Sequence, residues 1–100
     1  MINERLGRDR AKAQLNLCLD EGQFVATRHF KDELKNDGLD MEDAFIVCRS
    51  GAILDEPEEN MKSGQWRYRI TGNTTDGKRV AVVFALNPGG TAVFITVFID

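Results

Sequence analysis

Two apolar segments in the last quarter of the chain constrain its fold more than any other feature. Residues 79–86 (RVAVVFAL) and 92–98 (AVFITVF) are almost continuously apolar, as expected for central strands of a sheet that is covered on both faces. The four residues Asn-Pro-Gly-Gly at 87–90 separate them and have the composition of a turn. The sequence therefore predicts a β-hairpin at the centre of a sheet.

The other strand signals lie just before this hairpin. Residues 65–72 alternate between two faces, with Trp66, Tyr68 and Ile70 on one of them. The opposite face carries the polar residues Gln65, Arg67, Arg69 and Thr71. A short first strand is predicted over 52–54, and the acidic, proline-containing segment that follows it is predicted to be an exposed loop. The last three strands are predicted to form an antiparallel meander.

Helical signals dominate the first half of the chain. Asn3 is predicted to cap a first helix that runs to about Glu21, and Gly22 is the predicted stop. The apolar stripe of this helix recurs at helical spacing and consists of Ala11, Leu15, Cys18 and Leu19. Residues 23–26 are few enough to form only a minor strand.

Two shorter helices follow. The second is predicted over 28–36, with Thr27 as its cap. Its buried residues are Phe30 and Leu34. The third helix has Asp40 as its N-cap and Asp43 at the third helical position, a variant of the capping box, and it stops at Gly51. The face that it is predicted to bury consists of Met41, Ala44, Phe45 and Cys48.

Helices and strands are segregated along the chain, which is typical of an α+β domain. One hundred residues suffice for one hydrophobic core, so we expect a single domain over 1–100. Its three N-terminal helices are predicted to pack on a four-stranded, mainly antiparallel sheet. The predicted core consists of Leu15, Phe30, Leu34, Phe45, Cys48, Ile70, Val82, Phe84, Phe94 and Val97.

The composition excludes several classes of protein. Thirteen basic and sixteen acidic residues give a net charge of −3, which disfavours a generic nucleic-acid coat. No apolar stretch approaches the ~20 residues of a membrane span, and the first residues lack the apolar core of a secretory signal. One histidine and two cysteines are too few for a typical transition-metal site, so no metal and no cofactor are expected. Cys18 and Cys48 are predicted to be inert, reduced core thiols of a cytoplasmic protein.

His29 is the first candidate for chemistry. It is predicted near the N-terminus of the second helix with Arg28 and Lys31 beside it, and a helix end with neighbouring cations suits an anion such as phosphate. Imidazole is also the usual general acid or base near neutral pH. The alternative is a half-buried histidine that packs between helix and sheet.

Arg67 and Arg69 are the second candidate, because strand alternation places both on one face of the sheet. Arg79 on the neighbouring strand extends this cluster, and guanidinium groups on a sheet face make a suitable phosphate clamp. The alternative is a solvated sheet face whose arginines pair with helix carboxylates.

The acidic segment 55–59 is the third candidate. It fits no EF-hand and is predicted to be a solvated loop. Docking of a basic partner and exclusion of non-specific RNA are the alternatives.

Short blocks along most of the chain carry a resemblance to a known family. They are ATRHF at 26–30, GLDMEDA at 38–44, GAIL at 51–54, YRITG at 68–72, VAVV at 80–83 and FITVF at 94–98. In this order they resemble a prokaryotic family known only as a domain of unknown function, which is similar in layout to the MqsR and BrnT toxins of the RelE-like superfamily. The resemblance covers 24–98 as a RelE-like core, and the first helix, within 1–21, is expected to be an addition.

The resemblance implies a fold, an activity and a partner. The implied fold is RelE-like, with helices against a curved sheet. The implied activity is that of a toxin: a metal-independent endoribonuclease that cleaves mRNA on the concave face of the sheet and is neutralised by a protein antitoxin. His29 and Arg69 lie inside the matching blocks as catalytic candidates, and Arg67 joins them through strand alternation. The RNA-binding candidates are Arg28, Lys31 and Arg79.

A function of a different class stays open beside this one. The net negative charge and the small number of acid–base residues favour a non-catalytic protein-binding module of prokaryotic or mobile-element origin. Such a module would use the same sheet face or an exposed edge strand. Growth arrest when the chain is expressed alone is expected of the toxin and not of the binding module.

Overall fold

A computed structural model describes residues 5–100, and within that range the chain is an α+β domain, as predicted. Three helices and six strands follow one another in an order that keeps most helices before most strands. The elements are α1 (Arg8–Glu21), β1 (Phe24–Ala26), α2 (Arg28–Asn36), α3 (Met41–Ser50), β2 (Ala52–Ile53), β3 (Glu58–Glu59), β4 (Trp66–Asn73), β5 (Arg79–Leu86) and β6 (Ala92–Ile99).

The sheet is mixed, with strand order β1-β6-β5-β4-β2, and β3 also pairs with β4. The predicted antiparallel meander is present as β4, β5 and β6. The sheet has two strands more than the four predicted for it, although 23–26 was expected as a minor strand. β1 pairs in parallel with β6, and the acidic pair Glu58–Glu59 adds to β4 opposite Arg67 and Trp66. The first addition joins segments that are distant in the sequence, which a local pattern does not report. The second is a short local pairing within a segment whose acidic residues and proline had indicated a loop.

The helix caps follow the local sequence closely in α2 and α3. The Thr27 hydroxyl accepts from the Phe30 backbone N–H, and Asp40 and Asp43 form a reciprocal capping box. The start of α1 differs from the prediction, because the helix begins at Arg8 with Gly7 as its N-cap. Asn3, the predicted cap, lies outside the described residues.

A bulge in β6 explains how Phe94 and Val97 are both buried although they are three residues apart. Val83 pairs with Thr96 and Phe84 pairs with Phe94, so one residue of β6, Ile95, is left without a partner strand residue. The extra residue returns both apolar side chains to the core face. It also turns the Ile95 carbonyl toward Thr27, whose hydroxyl donates to it at 3.1 Å. The first turn of α2 is thereby attached to β6.

The core is almost the predicted one, since every predicted residue except Phe45 is buried. Phe45 is half-buried, and α3 instead buries Ala44, Val47 and Cys48. The helix is rotated so that Phe45 lies at its side, where its ring meets that of Phe24 edge-on at 5.3 Å. Single-face periodicity does not distinguish the centre of an apolar stripe from its border.

The third helix stops at Gly51, as predicted, and the φ of this residue, −79°, is ordinary extended backbone. The requirement for glycine comes from packing. A Cβ on Gly51 would lie 2.5 Å from the Val47 carbonyl oxygen and 2.6 Å from that of Thr71, and one on Gly72 would lie 2.9 Å from the Gly51 Cα. The two glycines let the end of α3 pass directly against β4.

The two cysteines are free and buried, as predicted. Burial raises the pKa of the Cys48 thiol to about 12, and the neighbouring positive charge of Arg49 opposes this only in part. Among residues 5–100, no helix has the length and apolarity that crossing a membrane requires.

Candidate functional site

The three long strands present a second face on the side away from the buried core. Alternation along β4 buries Tyr68 and Ile70 and leaves Arg67 and Arg69 exposed on the opposite side, as the sequence predicts. In the register of the sheet, Arg69 lies beside Val83 of β5, which in turn lies beside Thr96 of β6. These positions form one row across the second face.

An open cleft of about 350 Å³ lies over this row, and we refer to it as the cleft. Its lining residues are Asp55, Glu56, Glu58, Arg67, Tyr68, Arg69, Val83, Thr96 and Phe98. The Arg69 Cζ stands 5.9 Å from the centre of the Phe98 ring, a cation–π arrangement. The cleft therefore combines an apolar floor with guanidinium groups at its rim.

Residues 55–59, the acidic loop, form one wall of the cleft. The Arg69 Nη2 donates to the Asp55 Oδ2 at 2.7 Å, with the Arg69 side chain 44% and the Asp55 side chain 63% exposed. Glu58 is the strand partner of Arg67 and therefore lies on the same face. The expectation of a plain solvated loop is thus wrong in part, because the loop is exposed but contacts the predicted arginine cluster. Arg69 pairs with this loop rather than with a helix carboxylate.

His29 approaches the cleft from α2. Its Nε2 lies 3.4 Å from the Thr96 Oγ1 and 3.9 Å from the Glu33 Oε1, and its side chain is 64% exposed. The alternative of a half-buried packing histidine is therefore wrong. Thr96 lines the cleft, and its strand is separated from that of Arg69 only by β5. The Cα atoms of Thr96 and Arg69 are therefore roughly 10 Å apart. Arg67 and Arg69 thus line the cleft, and His29 lies against Thr96 at its edge.

The three predicted RNA-binding residues divide into two groups. Arg28 and Lys31 are exposed on α2, the helix that carries His29, and neither of them lines the cleft. Arg79 is at the far end of β5, four residues from Val83 and so roughly 13 Å away along the strand. Its Nε lies 3.4 Å from the Asp100 Oδ2. The prediction that Arg79 extends the arginine cluster is wrong. Alternation along a strand fixes which face a residue lies on, but not how far apart two residues on that face are.

The sequence did not point to Thr96 or Phe98, and it singled out the acidic segment 55–59 without placing Asp55 against Arg69. The bulge in β6 determines which residues of that strand face the cleft, and no local signal marks a bulge there. Asp55 meets Arg69 because the chain turns back after β2, and that turn is a tertiary feature. Within the described range, 5–100, no group of three or more His, Cys, Asp and Glu side chains is arranged to hold a metal ion.

The charges that line the cleft are mixed rather than basic. The two guanidinium groups of Arg67 and Arg69 lie among three carboxylates, those of Asp55, Glu56 and Glu58, and the imidazole of His29 lies beside Thr96. Guanidinium groups stabilise an anionic oxygen, and imidazole transfers protons near neutral pH. The cleft and its edge thus hold the groups that phosphate-ester chemistry needs. One of these groups, the Arg69 guanidinium, is already paired with Asp55.

Comparison with known proteins adds a family to this geometry. A family model described as "Domain of unknown function (DUF4258)" matches residues 26–99. The match begins immediately before Thr27 and includes every residue that lines the cleft. No curated protein and no solved structure matches the chain. Nothing in these findings ties it to the MqsR, BrnT or RelE-like toxins.

Proposed function

The chain belongs to the DUF4258 family of domains of unknown function, and we propose that it is a metal-independent endoribonuclease that acts in the cleft. The single observation that carries the proposal is the juxtaposition of an accessible histidine with two guanidinium groups. His29 reaches the cleft through Thr96, and Arg67 and Arg69 stand at its rim.

The proposed reaction uses the 2′-hydroxyl of RNA as the nucleophile. The bond from the 2′-oxygen to phosphorus forms while the bond to the 5′-oxygen of the next nucleotide breaks, which leaves a 2′,3′-cyclic phosphate and a free 5′-hydroxyl. One group must accept the 2′-hydroxyl proton and another must donate a proton to the leaving 5′-oxygen. His29 serves as one of these groups, and Glu58, which faces the same side as Arg67, is the candidate for the other.

Arg69 has the role of stabilising the negative charge that develops on the phosphate oxygens. A donor aimed at such charge is typically worth about 10²–10³ in rate. Phe98 and Val83 give the floor an apolar surface against which a base can lie, and the exposed Arg28 and Lys31 add positive charge on the helix that carries His29. An mRNA substrate, a toxin role and an antitoxin partner belong to this proposal through the resemblance to RelE-like toxins.

The second candidate function is a non-catalytic protein-binding module. The mixed charge of the cleft favours it, because protein partners commonly present both signs of charge around an apolar centre, whereas the RNA backbone presents only negative charge. In this reading Arg69 and Phe98 bind a partner's side chains and His29 has no proton-transfer role.

Cleavage of end-labelled mRNA by the purified protein separates the two functions. Arg69→Ala is expected to lower the rate about 10²–10³-fold, and His29→Ala about 10²–10⁴-fold, with products that end in 2′,3′-cyclic phosphate. Arg79→Ala is the matched control, since it removes an exposed, ion-paired arginine outside the cleft, and its rate should equal that of the wild type. Equal cleavage by all three variants would indicate a contaminating nuclease, and no cleavage with or without ribosomes would leave the binding module.

A further inference from the structure

The guanidinium that would hold the RNA phosphate is already bound by a carboxylate of the same chain. Arg69 is paired with Asp55 and stands over Phe98, so the position of an incoming anion is taken by the acidic loop. We infer that Asp55 is an intramolecular competitor of the phosphate for Arg69, and that residues 5–8, which end at the first residue of α1, hold it in place. This inference rests on the proposed function and describes the regulation of that same cleft.

Residues 5–8, the strap, make the contacts that hold the acidic loop. The Arg8 Nη1 donates to the Leu54 carbonyl oxygen at 2.8 Å, one residue before Asp55, and its Nη2 lies 4.0 Å from the Glu56 Oε1. Arg5 forms an ion pair with Glu56. The strap therefore contacts the residues on both sides of Asp55, Leu54 and Glu56.

The strap itself is attached to the sheet rather than only to the loop. The Leu6 backbone N–H donates to the Tyr68 hydroxyl at 2.8 Å, and the Arg5 Cζ lies 5.8 Å from the centre of the Trp66 ring. Tyr68 is buried and stacked on Phe84, so it is a rigid anchor. The strap thus connects the core to the position of Asp55.

The far side of the loop is attached to the same strand as Arg69. Glu58 and Glu59 pair with Arg67 and Trp66 of β4, which closes the segment between them and the strap. Asp55 lies in the part between these two attachments. A loop attached at both ends returns its carboxylate to Arg69 after each displacement and so raises the effective concentration of the competitor.

The competition is expected to be modest, because both partners of the ion pair are partly exposed and exposed pairs are weak. A phosphodiester, which can form two hydrogen bonds with one guanidinium, can displace a single carboxylate. The strap lies outside residues 26–99, so this form of competition depends on a segment that the family match does not include.

The first test measures the Kd of a 2′-O-methyl oligoribonucleotide, which binds but offers no 2′-hydroxyl for cleavage, at low ionic strength. Asp55→Asn is expected to tighten binding about three- to fivefold. Asp20→Asn is the matched control: it changes the net charge equally and breaks a similarly exposed ion pair, that with Arg49, outside the cleft. The Asp55→Asn gain should vanish when Arg69 is also replaced by alanine.

The role of the strap is tested with Arg8→Gln, for which two explanations predict opposite changes in RNA affinity. Loss of a positive charge alone would weaken RNA binding, whereas release of the loop is expected to tighten it about twofold. In the Asp55→Asn background the tightening should be absent. Weaker binding by Arg8→Gln, or equal gains for Asp55→Asn and Asp20→Asn, would overturn the inference. Circular dichroism shows that each variant is folded.

A measurement without RNA keeps this inference separate from the proposed function. Phenylglyoxal modifies accessible arginine side chains, and peptide mass spectrometry gives the rate at each position. Arg69 should react several-fold faster in Asp55→Asn and in Arg8→Gln than in the wild type, with Arg79 as the internal reference. Faster modification of Arg69 in the variants, with no binding of RNA, would support Asp55 as a competitor and contradict the ribonuclease function. Unchanged modification of Arg69, with normal cleavage of RNA, would support the ribonuclease function and contradict Asp55 as a competitor.

Discussion

The two faces of the sheet are built from the same three long strands, β4, β5 and β6, but different forces act on them. The face toward the helices is apolar and closed: Phe94 stacks on Phe30 at 5.3 Å, and Tyr68 stacks on Phe84 at 5.5 Å. The face with the cleft carries exposed ion pairs and half-buried apolar residues. Burial stabilises the first face, whereas exposed ion pairs add little to stability. The second face is therefore where residues can be selected for binding and chemistry.

The largest expected difference between the faces lies on one strand, β6. Phe94→Ala removes a fully buried ring that contacts Phe30 and Phe24, and should lower the free energy of unfolding by ~3–5 kcal/mol. Phe98→Ala, four residues along on the cleft face, should cost about 1 kcal/mol, since its ring is only half-buried. Urea unfolding of both variants checks this contrast. Equal losses would mean that the cleft face is as closely packed as the core.

The buried thiol of Cys48 should make stability depend on pH on the alkaline side. Its pKa is raised from 9.0 to about 12, so the folded state keeps the proton at a pH at which the unfolded state releases it. This stability is fully present below pH 9 and is lost as the pH rises toward 12. Well above pH 9 the loss approaches ~1.4 kcal/mol per pH unit.

Cys48→Ala provides the comparison for this effect, because it removes the titrating group and leaves the other ionisable groups in place. The free energy of unfolding should fall more steeply with pH for the wild type than for the variant between pH 9.5 and 10.5. Parallel pH profiles would show that the thiol ionises in the folded state as readily as in the unfolded chain.

The smallest expected effect lies at the centre of the cleft. Arg69→Ala and Asp55→Ala should each change the free energy of unfolding by less than about 1 kcal/mol, with a coupling energy of the same small size, since both side chains are partly exposed. A double-mutant cycle by urea unfolding measures this coupling. A coupling above about 2 kcal/mol would make the ion pair a structural element and weaken the argument that this face is free for function.

Much of the fold follows from short-range rules that the sequence states directly. Thr27, Asp40 and Asp43 cap their helices as predicted, because capping involves residues only three positions apart. Alternation in β4 places Arg67 and Arg69 together for the same local reason. The register of β6 does not follow from such local rules. The bulge at Ile95 depends on the packing of the core on one side and on the hydrogen bond with Thr27 on the other.

The candidate site divides in the same way. Local rules in the sequence placed a histidine at the start of α2 and two arginines on one face of β4, because helix caps and strand alternation are local properties of the backbone. That His29 is exposed rather than half-buried is seen only in the structure. The approach of His29 to the edge of the cleft that Arg67 and Arg69 line depends on the packing of the whole domain. His29 lies 3.4 Å from Thr96, 67 positions along the chain, and Arg8 holds Leu54, 46 positions away. Such contacts are chosen by the packing of the whole core, which places distant segments side by side and leaves no periodic signal in either of them.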